Sequence, residues 1–341
     1  MQPWLIYGAN GYTGELISRE AVRRGMQPIL AGRSASAIEP LARELGLQHR
    51  LFDVEKPALE GVSLVLHCAG PFVHTSAPMV RSCLDSKVHY LDITGEIGVF
   101  ETIFRQDAEA KTRGVTLLPG VGFDVVPTDC LAMMLAARVE GASELWLAFH
   151  SHGGGMSPGT LKTSIEGAAK GGWIRQNGKL VRVPMLFDVR EIPFQRGNRL
   201  AATIPWGDLA TAFRSTGIPN IRVYNAMSPR SIQRLRRLGP LIPLLRFGFL
   251  KRLAQAWAGR RKGPSELERA TSRIYLWGRA ARDGKEITMT MSVPEGYTFT
   301  VHSALAAVER VLGGDARPGA FTPAQLLGKD FVRSIPGVAV D

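Results

Sequence analysis

Cysteine is scarce in this chain. Cys68, Cys83 and Cys130 are the only three in 341 residues. An odd count without paired metal-type spacing argues against a disulfide scaffold and a zinc site, and points to a reducing cytosol. Long apolar runs are missing too. The longest stretch, Leu238–Leu250, is broken by Pro240, Pro243 and Arg246, so a spanning helix is not expected. No secretory leader is read, because Met1-Gln2-Pro3 leads straight into an apolar strand and a glycine turn. Acidic residues vanish between Asp208 and Glu266. That stretch holds twelve basic residues, and without them the 42 Lys and Arg fall to 30 against 30 Asp and Glu. The net charge of +12 therefore sits in one segment and calls for a local anionic partner.

What is present is ordinary for a folded protein. Apolar residues make up 45% and charged residues 21%, which excludes disorder, and the length suggests two domains. Apolar runs at Trp4–Tyr7, Pro28–Ala31, His49–Phe52, Ser63–His67, Val88–Leu91 and Val115–Leu118 read as strands buried on both faces. Helical patterns lie between them. Ser36-Ala37-Ile38-Glu39 reads as a capping box, and Gly25 and Gly46 stand where helices need C-terminal caps. Strands joined by crossovers predict a doubly wound parallel sheet. After Pro127 the strands lengthen and several alternate: Glu144–His150, Lys179–Val183, Arg199–Ile204, Asn220–Tyr224, Arg273–Ala280 and Glu286–Val293. A helix is expected over Ser157–Ala169. This second domain, 127–297, reads as α+β on a mixed or antiparallel sheet. The first domain is 1–126, with 298–341 packing back on it.

Gly8-Ala9-Asn10-Gly11-Tyr12-Thr13-Gly14 follows the first strand and opens the first helix. A dinucleotide pyrophosphate must come against backbone N–H groups at the positive end of a helix, and side chains would block it. The position after a strand and before a helix is the context that gives this spacing its meaning. Gly11 is the expected close-approach residue, and Gly14 lets the helix lie on the strand. Where an acidic residue would hold the ribose of NAD, 19 residues past Gly14, stands Arg33. A guanidinium with Ser34 beside it suits a 2′-phosphate, so NADP(H) is the expected cofactor. Asp53, ending the third strand, either accepts from adenine or caps a turn.

These blocks, with Cys68-Ala69-Gly70-Pro71-Phe72, Tyr90-Leu91-Asp92-Ile93-Thr94-Gly95-Glu96 and Gly120-Val121-Gly122-Phe123-Asp124-Val125-Val126-Pro127, resemble the saccharopine dehydrogenase-like oxidoreductases. Gly159-Thr160, Trp206–Ala212, Ser215–Asn220 and Gly319–Pro323 are similar to blocks of the short bacterial members, which include trans-acting enoyl reductases. The resemblance implies a Rossmann-type NADP-binding domain, with Ala69, Gly70, Pro71 and Phe72 along the nicotinamide half of the cofactor. Ligands in open α/β sheets bind beyond the carboxyl ends of strands, which agrees.

The proton donor is open. None of the six tyrosines has lysine four residues on, which argues against the short-chain dehydrogenase pair, and the seven histidines show no ligand spacing, so no metal is expected. Candidates come from loops past the strands. His74 follows Gly-Pro-Phe; Tyr90, Asp92 and Glu96 lie on the fifth strand and its loop. Asp124 follows the sixth strand, either as an acid or as a cap for the helix at Pro127. In the second domain stand Thr160, whose helix start offers N–H groups to a carbonyl, and Lys162. The many arginines beside Leu, Phe and Trp suit a small amphiphilic or acyl substrate. The leading reading is reduction of a C=C (enoyl) bond. A C=N or C=O reductase, or an amino-acid dehydrogenase of the saccharopine type, is the alternative. A lipid-associated NADP(H)-binding protein without turnover is another. Within 230–262, Leu245, Phe249, Leu253 and Trp257 recur every four residues among arginines. Such a stripe either lies on an anionic membrane surface or acidic carrier, or packs against the second sheet. No nucleic acid is expected, and a homodimer is compatible with the reading. The expected location is the cytoplasm, peripheral at the membrane if this segment meets lipid.

Overall fold

The computed structural model describes residues 2–153, 155–161, 171–238, 257 and 263–341. Lys162 and, apart from Trp257, the stripe from Leu245 lie outside the described residues. The chain divides into two compact units, 1–126 with 297–328 and 127–296 with 329–341.

In the first unit, β1 (Trp4–Tyr7) is followed by α1 (Tyr12–Arg23), β2 (Ile29–Gly32), α2 (Ala35–Leu45) and β3 (His49–Leu51). Then come β4 (Leu64–His67), α3 (Phe72–Ser86), β5 (His89–Asp92), α4 (Ile97–Phe104), α5 (Asp107–Arg113) and β6 (Thr116–Leu118), before α6 (Val126–Ala136) opens the second unit. Strands β1, β2 and β4 are buried at every residue, because helices cover both faces of a parallel sheet. Leu5 sits opposite Ile29 on one side and Val65 on the other. Strand order reverses between β1 and β4, and such a reversal opens a crevice at the carboxyl edge.

The second unit carries β7 (Glu144–His152), β8 (Gly172–Gln176), β9 (Lys179–Val183), β10 (Val189–Phe194), β11 (Gly197–Thr203), β12 (Asn220–Ala226), β13 (Arg273–Arg282) and β14 (Lys285–Pro294). They form one mixed sheet in which β7 and β12 run parallel and β7, β13 and β14 antiparallel. Helix α6 covers one face so closely that a methyl at Gly278 would stand 2.6 Å from Leu135. The other face buries Ala148, Phe194, Tyr224, Tyr275 and Trp277.

The chain returns to the first unit through the helix Gly296–Arg310 and β15 (Gly319–Ala320), which pairs with β6 as a seventh parallel strand. The tail departs from expectation. Residues 329–341 belong to the second unit, where β16 (Ala339–Val340) pairs with β14 and Arg273 donates to the Gly337 carbonyl. Buried Phe331, Val332 and Ile335 anchor that stretch. The expected capping box also fails to form. Helix α2 starts at Ala35 with Ser34 as N-cap, and the Ser34 hydroxyl bonds that of Ser36 instead of a backbone N–H. Among the described residues no helix is long and apolar enough to cross a membrane.

Candidate functional site

The glycine turn is built by close packing. Gly8 takes φ +81°, and a Cβ there would stand 2.8 Å from the Ala69 nitrogen. Gly8 and Ala9 both donate to the Ala31 carbonyl, which ties the ends of β1 and β2 together. Gly11 is the N-cap of α1 and bonds back to the Gly8 carbonyl at 3.0 Å. Gly14 presses the helix onto that carbonyl, since its Cβ would lie 2.3 Å from the oxygen. Asn10 is exposed beside this turn, and the Tyr12 ring packs edge-on against Tyr297 at 5.0 Å. The backbone N–H groups of Thr13 and Gly14 in the first turn point along the positive end of the helix, which suits a phosphate. Two glycines therefore bear steric demands that the motif spacing alone does not distinguish, Gly8 by its dihedral and Gly14 by its contact.

Past β2, Arg33 is 75% exposed and stands 3.8 Å from the carboxylate of Asp53, itself 51% exposed. A pair this open to water is worth little, so Arg33 is free to turn to a phosphate. Asp53 accepts from the Glu55 N–H at 3.1 Å, the turn-capping role open to it in the sequence.

Past β4, fully buried His67 donates from Nε2 to the Thr75 hydroxyl at 2.9 Å, and Thr75 donates on to the Ala69 carbonyl at 2.7 Å. Thr75 spends its proton on Ala69, so the His67 contact requires the Nε2–H tautomer. Its Nδ1 is left without a partner among the rings of Tyr7, Phe72 and Tyr90. Burial pushes the His67 pKa down to about 3. The unfolded chain therefore takes up a proton near pH 6.5 that the folded chain refuses until about pH 3. Stability from this site is present above the unfolded value and is lost as pH falls through that window. The slope is about 1.4 kcal/mol per pH unit. Urea unfolding of His67→Phe between pH 6 and 4 is expected to lose that increment of slope; an unchanged slope would show that His67 accepts its proton without cost.

The loop after β4 also meets a carboxylate. Glu96 accepts from the backbone N–H groups of Phe72 at 2.7 Å and Val73 at 3.0 Å, capping α3 across 24 residues of sequence. The Phe72 N–H is thus already engaged within the protein. Behind it, Asp92 is fully buried and accepts from Thr94 and Gly120 N–H groups and the Tyr90 hydroxyl, which joins β5 to the loop after β6. Burial lifts its pKa to about 6 against those donors.

Asp124 sits against Gly95, where a Cβ would lie 2.6 Å from its Oδ2. Burial raises its carboxyl to about 7, and the Glu96 carboxylate adds to the rise. The loop that carries it is held by the returning helix: Phe123 N–H donates to the Thr300 hydroxyl at 3.0 Å and Ser303 to the Val121 carbonyl at 2.7 Å. His74 is exposed in the first turn of α3. In the second unit, the Thr160 N–H is taken by the hydroxyl of Ser157, which caps the turn at 158–161. That N–H is therefore engaged within the chain. Among the described residues no cluster of His, Cys, Asp and Glu could hold a metal ion.

Residues 4–118, which contain the glycine turn, Arg33 and the loop past β4, match the model of the saccharopine dehydrogenase NADP binding domain. Human saccharopine dehydrogenase-like oxidoreductase is 26% identical over 195 residues, 48% of this chain and 45% of that protein. The trans-acting enoyl reductase of Mycobacterium leprae (strain TN) is 29% identical over 148 residues, 40% of this chain and 35% of that one. The match thus spans less than half the length of these curated relatives. The apo saccharopine dehydrogenase (L-Glu forming) of Saccharomyces cerevisiae aligns over 100% of both chains with a TM-score of 0.67 at 12% identity, which establishes a shared fold.

Proposed function

We propose that the protein is an NADP(H)-dependent oxidoreductase that reduces a C=C (enoyl) bond of a small hydrophobic or acyl-type substrate. The observation that carries this reading is the company Asp124 keeps. A carboxyl that protonates near neutrality lies past the carboxyl end of β6, on the sheet edge where β1 ends in a phosphate-binding turn. NADP(H), when bound, supplies the hydride. The first turn of α1 holds the pyrophosphate, Arg33 and Ser34 hold the 2′-phosphate, and Gly70 and Pro71 border the nicotinamide half. Asp124 delivers the proton to the carbon next to the one that is reduced. The enoyl assignment draws support from the name of the mycobacterial relative. The excess positive charge of the sequence between Asp208 and Glu266 supports an anionic partner.

Two measurements test this. Titration with both nucleotides should show tighter binding of NADPH than NADH. Arg33→Asp should weaken NADPH by one to two orders of magnitude, the worth of a charge-assisted contact at about 1.5–3 kcal/mol. Equal affinity for both nucleotides in the parent protein removes the role given to Arg33. NADPH oxidation across a panel of enoyl esters, imines and ketones then separates the reactions. Turnover on imines or ketones alone overturns the enoyl assignment, and stoichiometric binding without turnover identifies a cofactor-binding protein.

A further inference from the structure

The helix Pro229–Leu238 is divided by charge. At about 100° per residue, Arg230, Arg234 and Arg237 share one face, and Ile232 and Leu235 the opposite one. The apolar face is docked: Ile232 is buried and Leu235 packs with Leu186, Leu200 and Ala202. The four arginines, Arg236 included, are exposed, and among the described residues no carboxylate pairs with them. Beside this helix the chain turns outward. Leu186 is buried at φ +54°, a left-handed backbone that side chains with a Cβ avoid. The next residue, Phe187, is 47% exposed. The neighbouring acid does not cancel the field, because Asp188 is bound by Arg190, Arg222 and the Tyr224 hydroxyl.

We infer that the outer face of the helix Pro229–Leu238, with Phe187 beside it, docks on an anionic phospholipid bilayer. Unpaired guanidiniums on a docked helix match a diffuse negative surface rather than one fixed acidic group. Phe187, exposed one residue past the Leu186 that packs under this helix, adds an aromatic ring suited to the interfacial layer beneath the headgroups. Between Asp208 and Glu266 the sequence holds no acidic residue. The inference stands apart from the redox reading, since none of these residues belongs to the nucleotide site.

The test is flotation of the full chain with vesicles of phosphatidylcholine alone and of phosphatidylcholine mixed with phosphatidylglycerol, at low and high salt. Binding is expected to the mixed vesicles at low salt, with loss at high salt. Replacing Arg230, Arg234 and Arg237 together by Gln should weaken it about 100-fold, at about fivefold per near-surface arginine. Phe187→Ser should weaken it by about tenfold. All four side chains are exposed, so both variants should keep the parent's circular dichroism and NADPH affinity. Equal binding to neutral vesicles, parental affinity in the triple variant, or capture of an acidic protein or nucleic acid without vesicle binding overturns the inference. Absence of reductase turnover leaves the vesicle result standing.

Discussion

Asp124→Asn is expected to lower turnover of the reduction by about 10²- to 10⁴-fold, the usual worth of a positioned acid, with NADPH affinity little changed. In the parent protein the donor is the protonated carboxyl, so the rate should fall as pH rises through about 7, where burial and then Glu96 have moved this group. Asn has no such proton, and the residual rate should lose that limb. Glu96→Gln removes the like charge, eases ionisation of Asp124 and should move the limb to lower pH. The same shift has a stability consequence of known sign. A carboxyl raised above its unfolded value of 3.8 costs stability as pH rises from there to about 7, because the unfolded chain releases the proton that the folded chain keeps. Asp124→Asn should therefore be more stable than the parent at pH 8, by a few kcal/mol. Parental turnover in the Asn variant, or a parent profile flat from pH 6 to 8, would take the proton-donor role from Asp124.

The nucleotide half of this site was readable because its chemistry is local. A strand, a glycine spacing and a helix start fall within eleven residues from Trp4 to Gly14, and the basic residue follows directly on β2. The carboxyl half is not local. Glu96 caps α3 from the far side of a crossover, and the Asp124 loop is held by Thr300 and Ser303 from the returning helix. No spacing rule links positions so far apart. Nor does any linear pattern show that the Asp124 carboxyl packs against Gly95 and feels the charge of Glu96. The same holds for Thr160, whose N–H is spent on a neighbouring serine that the glycine-rich run did not single out.

The fold was legible to a similar depth. Buried parallel strands show as continuous apolar runs, and those from β1 to β6 lie within a residue or so of where the runs fall. Strand β10 is hidden by Pro193, which rules demote in a strand interior. It survives here because β10 is the edge of its sheet and Pro193 pairs near the hairpin end, opposite Asn198. Strand β8 has a glycine start and only five residues. The tail from Lys329 has no period of its own; its place is set by pairing with β14 and by burial of Phe331 and Ile335, neither of which a linear pattern shows.

Gly14→Ala is expected to abolish measurable NADPH binding and to destabilise the first unit by about 3 kcal/mol or more. The added methyl would lie 2.3 Å from the Gly8 carbonyl oxygen, and that contact is backbone, so no side chain can swing away. Helix α1 has to lift off β1. The N–H groups of Thr13 and Gly14 then leave the line along which they meet a phosphate, and a shift of about 1 Å in a positioned group costs on the order of 100-fold. Gly25→Ala is the control. Gly25 has φ +73° with nothing within 4 Å of its added Cβ, so it carries the dihedral penalty without the clash. That penalty is about 1 kcal/mol. Gly25 also lies at the far end of α1, away from the turn, so NADPH affinity should be retained. Urea unfolding and NADPH titration of the two variants separate steric packing from backbone conformation. If Gly14→Ala costs no more than Gly25→Ala and still binds NADPH, the helix is not seated on the Gly8 carbonyl, and the phosphate site must be built on other donors.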